Sequence, residues 1–223
     1  MDYRVNDRIR FECGLSLNAS KVYSALLEAN NVLQSLPAQL FRSIDYKTTS
    51  ATVGCIFCES VVKQTDRYAI VNPIEKGHPD IIPVKARYCS EEELRNYPEG
   101  LEVKCTIASV PKGVIIDKAT PRIDYINKIV WQAHHREVTE LLGLTYDYFP
   151  FLDSYVPQIS GLFYSSDLTE DDWGRISGTN GRNTKVCAML ASGLYKMGKG
   201  WVAIRNERKY LDTYAKIFRI QYN

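Results

Sequence analysis

The chain has no excess of either charge: 28 Lys and Arg face 26 Asp and Glu in 223 residues. A bulk electrostatic pull on a polyanion is therefore excluded, and any face that meets nucleic acid has to be local. No apolar run approaches the roughly 20 residues a membrane helix needs, and no charged-then-apolar leader opens the chain. The expectation is a cytoplasmic protein with reduced thiols and no membrane partner. Internal repeats and low-complexity tracts are also missing, which excludes a solenoid and a linker-joined array. Of the six cysteines only Cys55 and Cys58 form a close pair. Without a second pair at metal-ligand spacing, the plainer reading is small buried residues rather than structural zinc. A zinc-dependent binding module on that pair is the competing view.

What is present is ordinary apolar content, enough for one well-filled core. The expected organisation is a single unit over residues 1–223, mainly helical over 1–50, with a C-terminal part over 165–223 that is a candidate recognition region. Val22, Leu26, Leu27, Val32, Leu33 and Leu36 recur at helical spacing over 18–41, with Ser20 available as a cap and Pro37 as a break. After Thr52 the texture turns to short β-branched runs at 52–57, 68–71, 81–84 and 101–107, separated by Pro- and Gly-containing turns. Helical period returns over 121–142 through Ile126, Ile129, Val130, Ala133, Val138, Leu141 and Leu142, with Gly143 suited to a C-terminal cap. A further strand is expected at 158–164. Strand runs with helices before and after predict an α/β fold, a central mixed sheet flanked by helices.

The chemistry concentrates in two of the strand runs. His78-Pro79-Asp80 puts a carboxylate at the start of one, and Glu102-Val103-Lys104 puts an acid and a lysine on the other. Residues two apart on a strand face the same side, so Glu102 and Lys104 project together while Val103 points away. Two acids and a lysine are a set suited to phosphodiester hydrolysis: hard oxygen ligands for Mg²⁺ and a cation beside the attacking water. Two rival acid-x-Lys triplets, Asp45-Tyr46-Lys47 and Glu207-Arg208-Lys209, lie outside clear strands. The alternative is that Asp80 caps a turn while Glu102 and Lys104 form the exposed face of an amphipathic strand.

Pro79-Asp80, 21 intervening residues and then Glu102-Val103-Lys104 resembles the motif of the PD-(D/E)xK nucleases, most closely the Type II restriction endonucleases. That resemblance implies a restriction-endonuclease-like fold and an endodeoxyribonuclease that cuts both strands of double-stranded DNA with Mg²⁺, leaving 5′-phosphate and 3′-hydroxyl ends. It implies Asp80, Glu102 and the Val103 carbonyl as metal ligands, with Lys104 acting on the attacking water. A further acid drawn from a preceding helix would be Glu28 or Glu59, and His78 is placed to touch the scissile phosphate. A twofold homodimer follows from a palindromic site.

Residues 173–185 contain no acid among thirteen residues and are punctuated by glycine. Arg175, Asn180, Arg182, Asn183 and Lys185 are suited to base edges and phosphates, though a polar surface loop has the same make-up. Lys196, Lys199, Arg205, Arg208 and Lys209 form a second basic group around Trp201. His134 and His135, on the helix expected there, point about 100° apart and do not share an ion easily. The competing functions are a repair nuclease or junction resolvase of the same fold, which reads DNA shape, and a DNA-binding protein without catalysis.

Overall fold

The structure, a computed structural model, describes residues 2–75, 77–134, 136–177 and 186–222. Its helices are α1 (Ala19–Ser35), α2 (Ala38–Ser43), α3 (Tyr46–Lys63), α4 (Glu91–Arg95), α5 (Ala191–Lys199) and α6 (Arg208–Phe218). Its strands are β1 (Tyr3–Val5), β2 (Ala69–Val71), β3 (Ile81–Pro83), β4 (Glu102–Thr106), β5 (Gln132–Ala133), β6 (Leu141–Phe151), β7 (Ser154–Ser165), β8 (Cys187–Ala188) and β9 (Trp201–Arg205). Among the described residues, no helix is long and apolar enough to cross a membrane.

Five strands form a mixed sheet in the order β1-β9-β7-β6-β4. β4 runs parallel to β6 and the other pairings are antiparallel. The long β6–β7 hairpin is the spine, and its alternation divides the core. Leu142, Leu144, Tyr146 and Tyr148 pack with Val22, Leu26 and Leu33 of α1 and Val53 and Phe57 of α3. Leu141 and Phe149 pack with Met197 of α5 and Tyr210, Tyr214 and Phe218 of α6. Helices on both faces of a mixed sheet match the expected α/β class.

The first helix begins where its period says, but the cap is Asn18, whose side chain accepts from Lys21 N at 2.9 Å, rather than Ser20. The break at Pro37 separates α1 from α2. Two expectations fail. Residues 52–57 are not a strand but the middle of α3, capped by Asp45 through Thr48 N at 2.7 Å. The β-branched and hydroxyl residues tolerate the helix because Thr49, Ser50 and Thr52 return their hydroxyls to carbonyls four residues back. Val53, Phe57 and Val61, spaced by four, supply its buried face.

The helix expected over 121–142 is likewise absent. That stretch holds a 3-10 turn at Ile123–Tyr125, the short strand β5 and the start of β6, and Gly143 lies inside β6 instead of ending a helix. Its backbone bonds go elsewhere: Arg122 N and Ile123 N donate to the buried carboxylate of Asp147, and Ser109 N donates to Lys128 O. Trp131 donates its indole N–H to Leu144 O at 3.0 Å. The apolar residues that looked helical are spent along an extended path between α5, α6 and the sheet edge.

Candidate active site

Strand β3 brings Asp80 beside β4 through a reciprocal backbone pair, Ile81 N to Leu101 O at 3.1 Å and Leu101 N to Ile81 O at 2.8 Å. Gly100 permits the approach. Its φ is +142°, and a Cβ there would lie 2.2 Å from Ile81 O. Asn72 holds the other side of Asp80: its N–H donates to Asp80 O at 2.8 Å and its side-chain amide to Pro79 O at 3.1 Å. The Asp80 carboxylate then accepts from Val103 N at 2.8 Å.

With the two strands so joined, the charged side chains converge. The Lys104 ammonium donates to Glu102 Oε1 and lies 3.8 Å from Asp80 Oδ2. His78 Nδ1 lies 3.2 and 3.3 Å from the two oxygens of the same Glu102. The Glu102 side chain is only 5 % exposed, so the alternative of an exposed amphipathic strand face does not describe it. A buried carboxylate is costly unless paired. Burial alone would raise Glu102, but the His78 hydrogen bond and the Lys104 ammonium outweigh it and hold the carboxyl low. Asp80 moves the other way, raised by enclosure and then by the Glu102 charge; because 35 % of its side chain stays open to the cleft, solvent moderates the rise. His78 is raised by its bond to Glu102. In Lys104 the two carboxylates overcome the effect of burial and keep the amine charged.

His78, Asp80 and Lys104 line a cleft of about 750 Å³ whose walls also include Cys55, Glu59 and His134, with Glu102 buried behind them. Of the two helical acids, Glu59 of α3 reaches this cleft. Glu28 does not line it: its carboxylate is engaged by Lys63 at 2.6 Å and Gln64 at 3.2 Å. His134, exposed at the end of β5, sets its ring 6.4 Å from that of His78, a placement hidden when the segment is read as helix. The Cys55-x-x-Cys58 pair lies on α3, with both thiols free and both residues lining the cleft. Helical register with Glu59 was the signal that could have placed it there. His78 also lines a second hollow of about 490 Å³, together with Glu102, that carries Glu12, Glu99, Glu137 and Glu140, an acidic surface that repels phosphate.

Arg175 is exposed, while Asn180, Arg182, Asn183, Lys185 and His135 lie outside the described residues. The basic group around Trp201 is largely paired: Lys196 with Asp172, Arg205 and Lys209 with Glu207, and Arg208 with Asp212. Lys199 sits over the Tyr195 ring.

Comparison with protein-family models, with curated proteins and with solved structures gives no match for this chain.

Proposed function

We propose that the chain is a Mg²⁺-dependent endodeoxyribonuclease of the PD-(D/E)xK kind, a Type II-like enzyme with a restriction-endonuclease-like fold acting on duplex DNA. The observation that carries this reading is the cluster of Asp80, Glu102 and Lys104 delivered from two joined strands, with Asp80 and Lys104 open to one cleft and Glu102 buried behind them. An arrangement with two acids around one lysine, one of them raised, is poised for charge chemistry and has no evident packing role.

The donors fit Mg²⁺. Two carboxylates and the Val103 carbonyl are hard oxygens, and Asp80, raised beside Glu102, is a carboxyl that a further positive charge would relieve. Among the described residues no three His, Cys, Asp or Glu side chains gather into a metal cage; Mg²⁺ commonly uses one or two carboxylates and keeps several waters. Asp80, Glu102 and the Val103 carbonyl would hold the ion, which when bound polarises a phosphoryl oxygen and acidifies water.

The chain's own residues do the remainder. Lys104 stays protonated between the two acids, orients the attacking water and balances charge gathering on the phosphate. His78, fixed by Glu102, keeps that carboxylate oriented and presents its other face to the cleft. In-line attack on phosphorus breaks the bond to the 3′ oxygen, leaving a 3′-hydroxyl and a 5′-phosphate.

The test is to incubate purified protein with a long duplex of known sequence, with Mg²⁺ or with EDTA. Discrete fragments that need Mg²⁺ and vanish with Lys104→Ala are expected. Cleavage at full rate by that variant removes the assigned role, and nonspecific degradation favours a repair-type nuclease.

A further inference from the structure

A further cavity, of about 440 Å³, opens at the other end of the β6–β7 hairpin, where Tyr148, Phe149 and Pro150 end β6 and Tyr155 and Gln158 begin β7. From Leu141, the register partner of Glu102, to Tyr148 the strand advances on the order of 20 Å, so this cavity is separate from the cleft.

Besides the Tyr148 hydroxyl, two buried polar atoms of the lining residues lack a hydrogen-bond partner among the described residues. Gln158 is 1 % exposed, and its Oε1 finds no hydrogen-bond partner among the described residues. Arg205 gives its Nε to Glu207 at 2.7 Å, while its Nη1 is buried with no hydrogen-bond partner among the described residues. Orphaned buried groups are rare, and each calls for a water, an ion or a ligand. Here they come as a complementary pair on neighbouring strands β7 and β9, an acceptor that needs a donor and a donor that needs an acceptor.

The walls limit what fits. The Arg205 guanidinium lies 4.3 Å from the Phe149 ring centroid, Phe149 stacks on Tyr210 at 5.4 Å, and Tyr155 stands at the mouth 37 % exposed. Lys209 adds a cation beside Glu207, so Arg205 and Lys209 outnumber the one acid. Flat apolar walls, a donor–acceptor edge and a net positive rim match a planar heteroaromatic ring that carries an anion. We propose that this cavity binds a nucleotide, taking its base against the open Tyr155 ring at the mouth with the base edge on Gln158 and Arg205 and the phosphate toward Lys209. The base can come from a free mononucleotide or from a nucleotide turned out of a strand, because the recognised chemistry is the same.

The experiment is calorimetric titration of the full chain, in EDTA so that hydrolysis does not intervene, with the four 2′-deoxynucleoside 5′-monophosphates and with a short single-stranded oligonucleotide. It reads binding, so its result is independent of whether Asp80 and Glu102 cut DNA. Saturable binding that weakens at least about tenfold, the scale of one lost hydrogen bond, in Gln158→Leu and in Tyr155→Ala is expected. Tyr155 is at the rim, so its variant carries the test even if Gln158→Leu folds poorly. Comparable affinity for monomer and oligonucleotide assigns a free nucleotide, and much tighter oligonucleotide binding assigns a strand. No saturable binding by either, or binding that both variants leave unchanged, overturns the proposal.

Discussion

Glu102, buried behind the cleft, is the side chain on which His78 and Lys104 depend, because both satisfy it. Glu102→Gln keeps the volume and removes the charge. Cleavage is expected to fall by at least about 100-fold, the scale at which a general base or electrostatic stabiliser is lost. Duplex binding, measured in Ca²⁺ or EDTA, is expected to survive, and loss of both together would mark a folding defect. Away from the cleft, burial would raise Asp172, but Lys196, the Thr169 amide and the Ser192 hydroxyl outweigh it and hold the carboxyl below its ordinary 3.8. A lowered carboxyl contributes stability that is complete above the unfolded value and is lost as pH falls through the folded one. Thermal melts of the wild type should therefore lose stability as pH drops below about 3.8, and Asp172→Asn should be less stable at neutral pH with a flatter acid slope. Parallel acid slopes would remove Asp172 from the account. The Asp80, Glu102 and Lys104 triplet could be read from residue types, order and period-two projection alone. The choice of Glu59 over Glu28 could not, because it depends on which way α1 and α3 face.

At the scale of elements, the junction of β3 and β4 is what makes a site out of scattered residues. Gly100→Ala pushes a Cβ against Ile81 O and occupies a backbone region that side chains rarely adopt. A loss of roughly 1–3 kcal/mol in denaturant unfolding is expected, together with a fall in cleavage larger than the stability change explains, because Asp80 is displaced from β4. Wild-type activity in a folded Gly100→Ala protein would show the strands are held in place by other contacts. Helix α1 is fastened to the sheet by Asn30, whose amide donates to Tyr3 Oη at 2.8 Å and whose oxygen accepts from Ile159 N at 2.8 Å. Asn30→Ala leaves a buried N–H unpaired, and about 1–3 kcal/mol of destabilisation is expected by the same unfolding measurement. The strands at 68–71, 81–84, 101–107 and 158–164 each contain or overlap an observed strand, since short β-branched runs bounded by turns carry their own signal. The segments 52–57 and 121–142 misled because local propensity was overridden. In the first, Asp45 and an i, i+4 apolar face made a helix from β-branched residues; in the second, Asp147 and Trp131 drew the backbone into an extended path.

For the whole molecule, cutting both strands of a twofold site calls for two copies per duplex. Sedimentation with a cognate oligonucleotide in Ca²⁺ or EDTA is expected to show two 25.4-kDa chains per duplex, and one chain per site would remove the twofold arrangement. On the proposed function, charge balance makes any DNA-facing surface local, and the acidic hollow lined by His78 and Glu102 would put it on the other side of that wall. The sequence by itself determined the α/β class, the first helix and its break, and a motif whose two halves lie on separate strands, because these rest on composition, periodicity and turn chemistry within a short window. Only the tertiary structure decided that β4 would lie parallel to β6 at the sheet edge, that Glu102 would be buried against His78 and Lys104, and that Glu59 and His134 would share the cleft of His78, Asp80 and Lys104. Those outcomes depend on contacts between residues far apart in the chain, where burial of one group is settled by whichever partner reaches it.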